Sequence, residues 1–375
     1  MYFKNLYLCL SSLFFLIIKK KNNNLVIYSE NIYYFSLFEK IIKNLSQENI
    51  KISYLTSDIN EFNLLSSYNI EKYYIGNGLI RALIFFFVRS QIFLLTLSDL
   101  GNYELKKSKY CNNYFYLFHS LQSSHVQYSF NAFQNYDLIF CNGEYHKNEI
   151  EQSEKIFKFK KKKCILSGNT YFDFLLDNKK NINQNPKSIL IAPSWNLNEN
   201  NFFNIHCSEL IDNLLKKNIN CIFRPHPMHY IKSKKIINEI LKKYGNEKNF
   251  EFDYNKNNFE SLSNSKVVIT DNSGIANEFI LAFNRRVIFF NFQNKIHNKQ
   301  FKKINLKSFE EIIKDEFGYI IQPEDISNIE FHLNKVLLNE ITQKKLDEFL
   351  KKYISNVGSS VNIITKEIKK KLKDI

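Results

Sequence analysis

Between residue 25 and about residue 290, apolar runs of strand length take turns with helix-length amphipathic stretches. The runs Leu25–Tyr28, Ile52–Leu55, Ile92–Leu97, Tyr114–Phe118, Leu138–Cys141 and Lys163–Leu166 are separated by helical patterns over 33–46, 60–68, 79–88 and about 145–155. Strands that alternate with helices predict a parallel sheet covered by helices on both faces. Periodicity is lost over the polar stretch 175–187, which reads as a linker. A second series then begins: Ser188–Ile191, helix 205–217, Asn220–Phe223, helix 230–243, Phe250–Phe252, Lys266–Ile269, helix 274–283 and Val287–Phe290, with a helical tail from about 325. The expected fold class is α/β, as two similar domains over 23–180 and 181–340 with a cleft between them. An apolar and basic segment, 1–22, and a basic tail, 341–375, flank the pair. A length of 375 residues agrees with two domains at roughly 150 residues each.

The N-terminal apolar stretch from Leu6 to Ile18 lies between Lys4 and Lys19, Lys20 and Lys21. As a helix it covers about 20 Å, short of the roughly 30 Å hydrocarbon core. It is expected to lie on a membrane surface or pack on the fold, with an uncleaved anchor as the alternative. No apolar run reaches the roughly 18 residues of a membrane span, which excludes a polytopic membrane protein. The cysteines at 9, 111, 141, 164, 207 and 221 form no CxxC pair, so neither a zinc site nor a disulfide framework is expected.

A formal charge of +15 is compatible with nucleic acid, anionic lipid or an anionic substrate as partner. Only Arg81, Arg89, Arg224, Arg285 and Arg286 are arginines, and Gly (9) and Pro (5) are scarce beside abundant Asn, Lys, Ile and Tyr. Such a bias points to AT-rich coding. Where Arg, Pro or Gly persists against it, the position has a need for that residue.

Four constellations then stand out, each at the carboxyl end of a predicted strand, where open α/β sheets bind ligands. Arg224-Pro225-His226-Pro227 follows Phe223. Two prolines restrict the backbone around one histidine, and Arg224 offers a planar fork suited to phosphate oxygens. A metal pair of His226 with His229 lacks a third ligand. Thr270-Asp271-Asn272-Ser273-Gly274 leads from a strand into a helix bearing Glu278 one turn on. A helix N-terminus there would bind an anion, and the plain alternative is N-capping by Asp271 or Ser273. His119-Ser120 ends the strand 114–118 in the first half, and a histidine near its ordinary pKa of about 6.5 can take a proton from an attacking hydroxyl. Ala192-Pro193-Ser194-Trp195 carries the single tryptophan. No GxxxxGK[ST], HExxH or GxSxG signature occurs, and Gly76-Asn77-Gly78 lacks a third glycine at position 81.

At these residues the sequence resembles the CDP-glycerol glycerophosphotransferase family, the teichoic acid polymerases and primases and their relatives in surface polysaccharide synthesis. The likeness extends to Tyr136–Gly143 and Gly168–Asp173, and departs from the family where Ser120 replaces a glycine and Gly274 a second serine. The resemblance implies a GT-B fold of two Rossmann-like domains whose parallel sheets face a central cleft. It also implies transfer of glycerol phosphate, or a similar alditol phosphate, from a CDP-alditol to a hydroxyl of a lipid-linked or surface glycan, with release of CMP. His119 matches the base and His226 a second essential histidine. Arg224, Ser273 and Glu278 match donor-site positions, and Ser194, Asp271 and Gly274 complete the expected substrate-binding set. No metal or other cofactor is expected. The expected location is the cytoplasmic face of a membrane, as a peripheral protein on an anionic surface. A GT-B glycosyltransferase or sugar-nucleotide epimerase is the rival reading. An RNA- or lipid-binding protein is another, disfavoured for nucleic acid because the arginines form no strip with interleaved aromatics.

Overall fold

The computed structural model describes residues 2–196, 198–255, 257–292 and 296–374. Two parallel sheets organise them. The first contains β1 (Asn22–Ser29), β2 (Ile52–Thr56), β3 (Glu71–Tyr74), β4 (Arg89–Leu95), β5 (Cys111–Leu117), β6 (Leu138–Cys141) and β7 (Lys163–Leu166), in the order β3-β2-β1-β4-β5-β6-β7. The second contains β8 (Ser188–Ile191), β9 (Cys221–Phe223), β10 (Phe250–Phe252), β11 (Ser265–Thr270), β12 (Arg286–Phe290) and β13 (Tyr319–Ile321), in the order β10-β9-β8-β11-β12-β13. Strand order reverses between β1 and β4 in one sheet and between β8 and β11 in the other. Those reversals open the crevices in which doubly wound sheets bind ligands.

Alternation along each strand sends neighbours to opposite faces, and both faces are buried under helices. In the first sheet Val26, Tyr28, Phe93, Tyr114 and Tyr116 pack on one side, and Leu25, Ile27, Ile92, Leu94 and Phe115 on the other. In the second, Leu190, Ile222 and Val268 face one core, and Ile189, Ile191, Cys221 and Phe223 the opposite one. The edge strands β3 and β13 escape the sequence reading because each is only three or four residues long and half exposed. The helix Phe309–Phe317 escapes it too. Of the stretch expected as a linker, Leu175–Asp177 instead form the last turn of the helix Thr170–Asp177, whose Phe172 and Leu175 are buried with the second domain's core.

The C-terminal segment divides between the two domains. Leu346 and Phe349 of the helix Gln343–Tyr353 enter the second core, and Val361, Ile364 and Ile368 of the helix Ser360–Lys373 enter the first. Two retained glycines mark where the chain crosses back. A Cβ on Gly143 would lie 1.8 Å from the Tyr353 carbonyl oxygen, and one on Gly168, at φ +79°, would lie 2.3 Å from that of Ser355. The buried Asp173 carboxylate then accepts from the amides of Gly358 and Ser360, fixing the start of the last helix.

The N-terminal helix Tyr2–Leu13 and a π-helical turn, Phe14–Ile18, pack on the first domain through Cys9, Ser12 and Leu16. Ser12 Oγ donates to the Tyr74 carbonyl at 2.8 Å. Among the described residues no helix is long and apolar enough to cross a membrane.

Candidate active site

A cleft of about 210 Å³ lies between the carboxyl ends of the two sheets. His119 and Ser120 line one wall, and Ser194, Trp195, Arg224, His226, Ser273, Gly274 and Glu278 line the other. Seven of the eight expected site residues therefore meet in one place, although they come from strands far apart in sequence.

Asp271 is the exception. It is buried, and its carboxylate accepts from the Ser194 amide (2.8 Å) and from Ser194 Oγ (2.6 Å). Its role is to tie the β11 turn to the β8 turn, because a buried carboxylate needs donors and the neighbouring serine supplies two. Ser194 consequently lines the cleft with its hydroxyl proton already committed. Neither Asp271 nor Ser273 caps the helix Ile275–Phe283; the N-cap position is Gly274, and no side chain closes it. This helix is apolar almost all round and buried along its length, so its N-terminus, the positive end of its dipole, is held against the cleft, where Ser273, Gly274 and Ile275 line the wall.

Glu278 is buried at the cleft wall, and burial raises its carboxyl to about 7. Asn258 Nδ2 donates to it at 3.0 Å, while Tyr171 Oη donates to Asn258 Oδ1. The opposing pull of Arg224 is the smaller influence. Near neutrality the carboxyl is divided between a form that donates and one that only accepts, which suits recognition of hydroxyl groups.

Arg224 follows β9 directly, with its side chain mostly buried. Its Nη1 lies 2.5 Å from Oδ2 of Asp253, a carboxylate with no exposure at all. Asp253 also accepts from Ser261 Oγ and, at 2.7 Å, from the Asn255 amide. The guanidinium is thus fixed from behind, leaving the remaining N–H groups of its fork for the cleft. His226 serves as the N-cap of the helix Pro227–Lys232, its Nδ1 accepting from the Met228 amide at 3.2 Å. That bond selects the tautomer with Nε2–H as the donor. His229 is buried against Phe203 and Trp195, its ring 6.5 Å from that of His226. Among the described residues no group of three His, Cys, Asp or Glu is placed to hold a metal ion.

His119 follows β5, with its ring 5.1 Å from that of Tyr34 and 6.3 Å from that of Tyr128. The backbone on both sides of it is pinned. Asn169 Nδ2 donates to the Phe118 carbonyl at 3.2 Å, and Asn142 Nδ2 to the Ser120 carbonyl at 2.7 Å. These asparagines belong to Tyr136–Gly143 and Gly168–Asp173, so the resemblance in those stretches has a physical content: they hold the histidine loop. His125, also in this loop, is buried outside the cleft lining and pairs with buried Glu149 at 3.1 Å. Tyr33, Tyr34, Gln122, Tyr171, Asn257 and Asn258 are among the further lining residues and were not foreseen. The Asn and Tyr among them are so common in this chain that no single one carries a signal, and Gln122 belongs to no motif that would mark it.

Two parallel α/β domains that close a cleft at their strand ends, with an uncapped helix N-terminus and an arginine facing a histidine, define a GT-B-type enzyme. Among solved structures the chain is similar to the wall teichoic acid polymerase TagF, at 18% identity and a TM-score of 0.61, over 94% of this chain and 89% of that one. It is also similar to a UDP-GlcNAc 2-epimerase from Neisseria meningitidis, at 15% identity and a TM-score of 0.58, over 93% and 100% of the two chains. At such identities these likenesses establish the fold. No curated protein sequence matches the chain significantly. Residues 96–320 match the family described as CDP-glycerol:poly(glycerophosphate) glycerophosphotransferase. The chain belongs to that family and is a transferase.

Proposed function

We propose that the protein passes glycerol phosphate, or a similar alditol phosphate, from a CDP-alditol to a hydroxyl of a lipid-linked or surface glycan and releases CMP. The observation that carries this reading is the meeting of His119 with Arg224, His226, Ser273 and Gly274 across one cleft. The acceptor oxygen attacks the β-phosphorus and gives up its proton to His119. As the new O–P bond forms, the bond from the β-phosphorus to the bridging oxygen breaks, and CMP leaves with that oxygen. Arg224, His226 and the amides at Ser273 and Gly274 hold the diphosphate and take up the charge that moves toward CMP. Glu278 and Asn258 are suited to the ribose hydroxyls. No metal or other cofactor is called for on this reading, because the fork and the helix amides carry the charge.

Calorimetric titration separates this reading from its rivals. CDP-glycerol or CDP-ribitol is expected to bind, and UDP-sugars only weakly. Preference for a UDP-sugar would favour a glycosyltransferase or epimerase, and RNA binding unaffected by any nucleotide would favour a different class altogether.

A lipid-linked acceptor is reached most readily from the membrane surface, and the N-terminal face is suited to that contact. Phe3, Leu6, Tyr7, Leu10, Phe14 and Ile18 are exposed along one helical face, with Lys4, Lys19 and Lys20 beside them. The helix Leu79–Phe87 packs against this segment and adds Leu79, Leu83 and Phe86. Apolar side chains rimmed by lysines fit the boundary of an anionic bilayer, on its cytoplasmic side. The basic tail helix lies on the opposite side of the first sheet, so this face is proposed from the N-terminal segment and the helix Leu79–Phe87. Flotation with vesicles containing anionic lipid is expected to carry the wild type upward, and Tyr7→Glu with Phe14→Glu to abolish it. Equal flotation of both would exclude this face.

A further inference from the structure

The base-bearing loop does not stop at His119. Three residues on, Gln122 lines the cleft and reaches the opposite domain, where it abuts Gly274 at the N-terminus of the helix Ile275–Phe283. A Cβ placed on Gly274 would lie 3.0 Å from Cδ of Gln122, 3.1 Å from its Cγ and 3.3 Å from Oε1. The glycine thus makes room for this one side chain.

Gln122 is also anchored on both sides. Its carbonyl accepts from His146 Nε2 at 2.5 Å. Burial lowers His146 to about 4, which keeps the ring neutral, and its Nδ1 accepts from the Asn142 amide. Immediately after it, the Ser123 amide donates to Glu310 and Ser123 Oγ accepts from the Phe309 amide, both in the second domain. The carbonyls of His125 and Val126 accept from Asn298 Nδ2 (2.9 Å) and the His297 amide (3.0 Å) of the same domain. The side chain between these anchors is delivered across the domain boundary to a fixed point.

We propose that Gln122 is a catalytic residue whose amide N–H donates to the phosphoryl group undergoing transfer, on the side where the acceptor approaches. This rests on the donor reading above and adds a contact to it. The second domain supplies backbone amides and Arg224 to the diphosphate, whereas Gln122 supplies a neutral donor from the first domain, the one carrying the base. A neutral amide adds hydrogen bonds to the phosphoryl oxygens without repelling them. It also makes assembly of the full donor set depend on closure of the cleft.

The test uses the full-length protein, CDP-glycerol binding by calorimetry and single-turnover rates. Gln122→Ala is expected to lower the chemical rate roughly 10²-fold while leaving CDP-glycerol affinity nearly unchanged. Gln122→Glu, of the same shape but anionic, is expected to weaken binding as well. Gly274→Ala, which pushes the side chain aside and also crowds the diphosphate end of the helix, should lower the rate and weaken CDP-glycerol binding, and adding Gln122→Ala to it should lower the rate no further, because the Gln122 contact is already lost. A wild-type rate in Gln122→Ala, or effects of the two substitutions that multiply, overturns the proposal. Failure of the wild type itself to bind CDP-glycerol overturns the donor reading on which it rests. Unchanged melting of the variants excludes a merely structural effect.

Discussion

Replacement of His119 by alanine is expected to lower turnover by roughly 10² to 10⁴ while leaving the affinity for CDP-glycerol nearly intact. The asymmetry follows from which wall the histidine occupies. The groups suited to the diphosphate, Arg224, His226 and the amides at Ser273 and Gly274, all belong to the second domain, on the wall across the cleft from His119. Its loop is held by Asn142 and Asn169 through backbone carbonyls, which the substitution leaves in place. Loss of the imidazole removes the proton acceptor without moving its supports. Single-turnover kinetics beside calorimetry read the two quantities separately. Unchanged turnover in His119→Ala would dispose of the assigned base. A parallel loss of affinity would mean instead that the ring faces the donor.

The parts of this site that were legible in the sequence are the parts written in scarce residues. In a chain biased toward Asn, Lys, Ile and Tyr, the retention of Arg224, Pro225, Pro227, Gly274 and the single Trp195 at strand ends is informative, because each is kept against drift. The supporting layer is written in the abundant letters. Asn142, Asn169, Asn258, Tyr34 and Tyr171 look like every other Asn and Tyr until the two sheets bring them together. Asp271 misled for a related reason. Its place between a strand and a helix suits a ligand contact or an internal tie equally well, and only the position of Ser194, 77 residues away, decides for the tie. At the level of the fold, most strands declared themselves as apolar runs, including the edge strands β7 and β10, whereas β3 and β13 are short, half-exposed edges that the pattern passed over. The tail was readable as amphipathic helix, but periodicity states only that a face is buried. That the last helix returns to the first domain is a property of the crossing at Gly143 and Gly168.

Arg224→Ala is expected to have the broadest effect of any single change in the cleft, because that residue answers two needs. Toward the ligand it offers N–H groups to phosphate, and removing a fixed donor of this kind costs about 10² to 10³ in rate. Toward the interior it neutralises Asp253, whose side chain has no exposure and whose remaining donors are Ser261 Oγ and the Asn255 amide. Removing one partner of a buried ion pair leaves an uncompensated charge, at a cost of about 3 to 5 kcal/mol. Thermal melting and activity should therefore fall together in Arg224→Ala, and activity alone cannot say which need was lost. Adding Asp253→Asn to that variant separates them. With no buried charge left, the melting temperature should recover much of its loss, while CDP-glycerol binding and turnover should stay low because the fork is still absent. Arg224→Lys is expected to fall between, since an ammonium retains the charge but not the planar pair of donors. Turnover that returns with stability in the double variant would reduce Arg224 to a structural ion-pair partner and remove it from the diphosphate site. Persistent instability there would instead show that the burial of Asp253 is not what makes the single substitution costly.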